Sequence, residues 1–230
     1  MSNDAYSGTE NLEVMKEAVN YNRMLIDLVK GHARKGERVL DFGAGVGTFA
    51  LPMQRDGYAV ECVELDDAQR ATLAAHGLTV HQTVDGIRDG SIDFVYTLNV
   101  LEHIADDAGA LRDIGRTLRK DGTLLIYVPA FPVLFTRMDE RVGHLRRYRR
   151  NDLRAKVDAA GFDVVTNDYV DSLGFLATLV YRVTGPSNGT INRDALRVYD
   201  RYVFPTSRRL DRVLRHVIGK NLLLIARKRR

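Results

Sequence analysis

The sequence predicts an α/β fold, a mostly parallel sheet with helices packed around it. Three observations carry the prediction. Short apolar strand signals alternate with helical ones through the front half of the chain. The first strand signal, Arg38–Phe42, runs directly into a glycine turn, Gly43-Ala44-Gly45-Val46-Gly47, that opens a helix. Glycines at 57, 77, 122 and 161 fall where successive helical signals end.

The elements follow in order. Leu12, Met15, Val19, Leu25, Ile26 and Val29 recur at helical spacing over residues 11–30. A helix from Thr48 to about Asp56 tolerates Pro52 only in its first turn. Ala59–Leu65 reads as the second strand, and Asp66–His76 as a helix with acids in its first turn. Thr79–Gln82 and Ile92–Val100 are the third and fourth strands. Asp106 opens a helix through Leu111, Ile114 and Leu118, with Gly122 closing it before the fifth strand, Thr123–Val128. Asn151 caps the next helix, which ends at Gly161. Phe162–Tyr169 is the sixth strand and Leu222–Ala226 the last. Two stretches interrupt the alternation. Residues 130–150 read as an Arg-rich loop with interleaved aromatics. Residues 172–218 carry an apolar helix signal, a Gly-Pro-Ser-Asn-Gly turn and a basic amphipathic helix signal. Insertions of this kind commonly carry specificity. The chain is therefore expected to be a single domain over 1–230, with 130–150 and 172–218 as lid or substrate-recognition insertions.

Composition narrows the class. The 230 residues are 45% hydrophobic and 28% charged, ordinary for a globular protein. No uncharged apolar run approaches the roughly 20 residues that span a bilayer, and the first ten residues lack the pattern of a signal peptide. A single cysteine, Cys62, excludes an internal disulfide framework and a multi-thiolate zinc site, so a cytoplasmic protein is expected. The net charge of +4 hides a polarity: residues 1–136 hold 13 Lys/Arg against 20 Asp/Glu, and the remainder holds 21 against 10. A basic rear half suits an anionic substrate, nucleic acid or peripheral contact with a membrane surface.

The glycine turn is the chemical signal. Glycines allow unusual backbone angles and close ligand approach. The spacing G-x-G-x-G differs from the G-x-G-x-x-G of dinucleotide sites. Asp41, just before the turn, would repel a pyrophosphate but suits a cationic amino-acid moiety. Glu64 stands at the end of the second strand, 17 residues after Gly47, where a carboxylate can accept both hydroxyls of a ribose.

Asp41 through Gly47, Val63-Glu64-Leu65-Asp66, and Ile92-Asp93-Phe94-Val95 running into Asn99-Val100-Leu101-Glu102-His103-Ile104 together resemble the class I S-adenosylmethionine-dependent methyltransferases. Leu118-Arg119-Lys120-Asp121-Gly122-Thr123-Leu124 is similar to the turn before the fifth strand in the type-11 group, which includes ubiquinone- and menaquinone-pathway-like enzymes. Val128-Pro129-Ala130, Gly143-His144-Leu145-Arg146-Arg147-Tyr148 and Tyr21-Asn22 resemble a subgroup associated with polar or lipid-linked metabolites. The resemblance implies a Rossmann-like sheet of seven strands, the last antiparallel, preceded by a helical insertion. It implies S-adenosyl-L-methionine as cofactor, with S-adenosyl-L-homocysteine as product. By resemblance, Asp41 orients the methionine part, and Gly43, Ala44 and Gly45 give close backbone contacts. Glu64 holds the ribose and Leu65 flanks the adenine. Val84 contacts the adenine, although Thr83-Val84-Asp85-Gly86-Ile87 replaces the family's usual pattern there. Asn99 faces the methionine and sulfonium region, and Tyr21 is a further cofactor-binding candidate.

Methyl transfer needs chiefly alignment of nucleophile, carbon and sulfur, plus a base where the acceptor carries a proton. His103 follows the fourth strand at the edge where ligands bind in open α/β sheets. His144 lies in the loop after the fifth strand, with Tyr148 as the hydroxyl alternative. These three are the candidate catalytic groups. Arg146 and Arg147 belong to a segment, 137–156, with eight basic and three acidic residues. They are the candidate contacts to an anionic or lipid-linked small-molecule acceptor. No His/carboxylate cluster has metal-ligand spacing in the sequence, so no metal site is expected. A nucleic-acid methyltransferase is disfavoured, because Leu98-Asn99-Val100-Leu101 lacks the prolines that stack a flipped base. A nicotinamide dehydrogenase is disfavoured by the glycine spacing. A non-catalytic cofactor-binding protein of the same fold is disfavoured by the intact Asp41, Gly43, Gly45 and Glu64.

Overall fold

A computed structural model describes residues 14–186 and 189–229. The first ten residues, Leu12, Ser187 and Asn188, used in the reading above, lie outside the described residues. One seven-stranded sheet forms the centre. Its strands are β1 (Arg38–Phe42), β2 (Ala59–Val63), β3 (Thr79–His81), β4 (Ile92–Leu98), β5 (Leu118–Pro129), β6 (Phe162–Val170) and β7 (Asn221–Lys228), in the spatial order 3-2-1-4-5-7-6. The β1, β2, β3, β4 and β5 ladders are parallel, and β7 runs antiparallel between β5 and β6. The expected mostly parallel sheet with an antiparallel last strand is therefore present.

Alternation along the strands makes two cores. Leu40, Val95, Leu124 and Ile126 point to one face, where they meet Leu111 and Ile114 of α4 (Asp107–Thr117) and Leu153 and Val157 of α6 (Arg150–Ala159). Val39, Cys62, Phe94, Tyr96, Leu125 and Tyr127 point to the other. There they meet Met24, Leu25 and Val29 of α1 (Val19–His32), Met53 of α2 (Ala50–Arg55) and Leu73 of α3 (Asp67–Ala75). Side chains that alternate between faces at period 2 bury both sides of a parallel sheet.

Several boundaries shift from the sequence reading, and those beside the site shift for local reasons. β4 ends at Leu98 because Asn99 turns to a left-handed φ of +55°. β5 begins at Leu118, since the ladder to β4 resumes after a register shift and Asp121 takes φ +60°. The helix before it therefore stops at Thr117, not at Gly122. The 130–150 stretch is not wholly a loop, as it contains a short 3-10 turn and α5 (Arg137–Arg141).

The second insertion folds as α7 (Ser172–Thr184), α8 (Arg193–Val198), a π turn (Tyr199–Val203) and α9 (Phe204–Leu214). It is tied to α1: Asp200 accepts from the backbone N–H groups of Asn20 and Tyr21, both at 2.9 Å. The Phe204 ring meets Tyr21 edge-on, with centroids 5.7 Å apart. Among the described residues, no helix is long and apolar enough to cross a membrane.

Candidate active site

Strand order reverses between β1 and β4, since β1 leads to β2 on one side while β4 lies on the other. Open α/β sheets bind ligands at the carboxyl end of such a switch point. The glycine turn stands there. Gly43 has φ +87°, and a Cβ on it would lie 2.4 Å from Val100 Cγ2. Only glycine lets β1 turn this closely past the end of β4. The Gly43 and Ala44 N–H groups both donate to the Val63 carbonyl, at 2.9 and 3.1 Å, which locks the turn onto the end of β2.

Glu64 extends that lock. One carboxylate oxygen accepts the Gly45 N–H at 2.7 Å and the other accepts the Asp66 N–H at 3.0 Å. Each oxygen keeps a further lone pair. The half-buried carboxylate thus remains able to accept the two hydroxyls of a ribose. Leu65 beside it is 70% exposed, an apolar surface over which an adenine can lie. Ala44 is buried, so its contribution is its backbone. Val84 is buried in the core, and its carbonyl accepts from Arg116 Nη2 at 3.0 Å, so its side chain is packing rather than an adenine contact.

Asp41 is buried beneath the turn and accepts the Tyr96 hydroxyl at 2.8 Å, a cross-strand pair set by the β1–β4 register. Burial pushes its carboxyl up to about 7, and the nearby Glu64 charge adds to the rise against the lowering by Tyr96. The structure brings Asn99 and Tyr21 together: Asn99 Nδ2 donates to the Tyr21 hydroxyl at 3.3 Å. The Tyr21 hydroxyl is itself held far above its usual range by burial.

The end of β4 carries a second group. Glu102 is fully buried, and among the described residues neither carboxylate oxygen has a hydrogen-bond partner. Burial pushes it up to about 8. His144 lies against it, with Nε2 3.7 Å from Glu102 Oε1 and Nδ1 2.7 Å from Asp139 Oδ1. Asp139 is held in turn by Arg147, whose Nε and Nη2 donate to its two oxygens at 2.9 and 3.0 Å, and by the N–H of Thr136 at 2.8 Å. The His103 ring stands edge-on to His144, with centroids 4.7 Å apart, and its Nδ1 is 3.2 Å from the Gly143 carbonyl. Burial, with the His144 charge next, lowers His103 to about 4.

These contacts correct the sequence reading in four places. Arg147 is 5% exposed and engaged with Asp139, so it is not placed to hold an acceptor. Arg146 Nη1 is 2.9 Å from Asp107 Oδ2, an ion pair rather than an open guanidinium. Tyr148 is buried, its hydroxyl proton shared between Asp107 at 2.8 Å and the Leu101 carbonyl at 3.0 Å. Burial and the Asp107 charge raise that hydroxyl far out of the range of a base. Finally, Glu102, His103 and His144 do form a cluster of metal-ligand type, each offering one atom, all within 4.8 Å of one another. Glu102 and Asp139 are the participants that the sequence reading missed. Glu102 passed as one letter of a strand-end motif, and Asp139 as a counter-charge among arginines.

Residues 15–167 match the family model described as a methyltransferase domain. The chain belongs to the class I S-adenosylmethionine-dependent methyltransferases. It is 32% identical over 131 residues to an uncharacterized methyltransferase, YcgJ, of Bacillus subtilis, a match covering 50% of this chain and 49% of that protein. It is 31% identical over 104 residues to a ubiquinone biosynthesis O-methyltransferase of Caulobacter vibrioides, covering 40% of each chain. The match thus spans half or less of the length of these curated relatives. Among solved structures, a SAM-dependent methyltransferase of Archaeoglobus fulgidus superposes with a TM-score of 0.60 over 90% of this chain and 94% of that one, at 16% identity, a likeness of fold. S-adenosyl-L-methionine is the cofactor of this family, and the Glu64 carboxylate, glycine turn and exposed Leu65 fit it.

Proposed function

We propose that the chain transfers a methyl group from S-adenosyl-L-methionine to a hydroxyl or amine of a small-molecule acceptor. The observation that carries this reading is the Glu64 carboxylate bonded to the glycine turn at the switch point of the sheet. When bound, the cofactor supplies an electrophilic methyl on a sulfonium. Glu64 holds the ribose, Leu65 covers the adenine, and Asn99 with Tyr21 borders the methionine end. The acceptor enters beside Glu102, His103 and His144, where His144, fixed by Asp139, orients its reacting group or takes its proton. The two insertions, 130–150 and 172–218, cover that side and set acceptor choice.

Arg146 and Arg147 spend their charge on Asp107 and Asp139, so the reading does not require an anionic acceptor. The test is direct. The protein is incubated with methyl-labelled S-adenosylmethionine and an extract of its source, and the labelled product is identified. A labelled small molecule that disappears with Glu64→Ala supports the reading. Label found only in nucleic acid, or none above a protein-free control, overturns it.

A further inference from the structure

Among the described residues Glu102 has no proton-donating partner for either oxygen, although it is fully buried. An unpaired buried carboxylate is costly, and proteins usually relieve it with a counter-charge, a proton or a cation. The guanidinium in this neighbourhood, Arg147, is committed to Asp139. What faces Glu102 is His144 Nε2, 3.7 Å away, too long for a hydrogen bond but suited to two ligands sharing an ion. His103 completes the set, with ligand atoms of all three residues within 4.8 Å.

The surroundings are those of a ligand shell. Metal-bound histidines commonly give their other ring N–H to a carboxylate or a backbone carbonyl, which fixes tautomer and ring orientation. His144 Nδ1 lies 2.7 Å from Asp139, and His103 Nδ1 lies 3.2 Å from the Gly143 carbonyl. Asp139 is held by Arg147 and by its capping interaction at the start of α5, so the orientation of His144 is built in advance.

We propose that Glu102, His103 and His144 bind one divalent first-row cation, with Asp139 and the Gly143 carbonyl as outer supports. Two imidazoles and one carboxylate suit zinc, manganese, iron or cobalt better than magnesium or calcium, which favour all-oxygen sites. Three protein ligands leave coordination positions open. In the setting of the proposed reaction, on which this role but not the binding itself rests, an acceptor hydroxyl takes an open position and loses its proton to solvent more readily. His144 is then a ligand, and the acceptor carries oxygen at the reacting position.

The experiment uses the full chain, untagged and stripped with a chelator. Cobalt(II) is titrated in, read by its visible ligand-field absorption and by calorimetry. The expected result is one equivalent per chain, displaced by zinc. Glu102→Gln and, separately, His103→Ala are each expected to weaken binding at least about 100-fold, and Asp139→Asn by about 10–100-fold. Two substitutions at different ligands keep the test alive if one variant fails to fold, which a thermal melt reports. S-adenosylhomocysteine affinity is measured on the same samples. Cobalt binding without homocysteine-nucleoside binding sinks the methyltransferase reading and leaves the metal site standing. No stoichiometric cobalt or zinc binding, or binding unchanged in Glu102→Gln and His103→Ala, overturns the metal site.

Discussion

The two ends of the candidate site are built by different means. The β1–β2 end is made of backbone. Its donors are the N–H groups of Gly43, Ala44, Gly45 and Asp66, and its acceptors are Val63 and Glu64, all within a short stretch of chain. The β4–β5 end is made of side chains. Glu102, just after β4, meets Asp139, His144 and Arg147 of the 130–150 segment some forty residues on, and ion pairs hold the group together. A backbone cradle depends on glycine and register, so it tolerates little change in sequence. A side-chain cluster can be altered one residue at a time, which fits the proposed role of that end in acceptor choice.

That contrast can be broken experimentally. At the side-chain end, Arg147→Ala leaves the Asp139 carboxylate buried without its guanidinium partner and the two hydrogen bonds it gives. The expected loss is about 3–5 kcal/mol of folding stability, read by denaturant unfolding. A loss below about 1 kcal/mol would mean that the pair does not organise this end. At the backbone end, Gly43→Ala puts an L residue at φ +87° with its Cβ 2.4 Å from Val100. The left-handed conformation costs about 1–2 kcal/mol, and the overpacking about 1–3 kcal/mol more. Adding Val100→Ala should recover the second part and not the first. If it recovers everything, the turn is shaped by packing rather than by backbone conformation.

Asp41 sharpens the same contrast through pH. Burial raises its carboxyl from 3.8 to about 7. Between those values the folded chain keeps a proton that the unfolded chain has released, so stability should fall as pH rises through that window. The group contributes a slope of up to about 1.4 kcal/mol per pH unit. Asp41→Asn should remove that component of the slope from pH-dependent unfolding. An unchanged profile would show that Asp41 is charged and solvated in the folded protein.

How much of this was legible in the sequence follows the same divide. The positions of the strands along the chain, Glu64 and the glycine turn could be read because each depends on residues adjacent in the chain. Asn99 could be placed at the end of β4, but its left-handed turn, which ends the strand two residues early, has no local signal such as glycine. The acceptor side was read poorly. Glu102 and His144 are some forty residues apart, and no spacing rule joins them. A count of arginines could not reveal that Arg147 is buried against Asp139, nor that Arg146 and Lys156 both converge on Asp107. Net charge describes a segment, whereas burial and pairing decide which charges face a ligand.

The separation of the two ends is tested most directly by calorimetric titration of S-adenosylhomocysteine into the wild type, Glu64→Ala and His144→Ala. Charge-assisted hydrogen bonds are worth about 1.5–3 kcal/mol each. Glu64→Ala should therefore lose roughly tenfold or more in affinity, while His144→Ala binds as the wild type does and loses turnover instead. Wild-type affinity in Glu64→Ala with the fold intact, or an equal loss in both variants, would contradict the account.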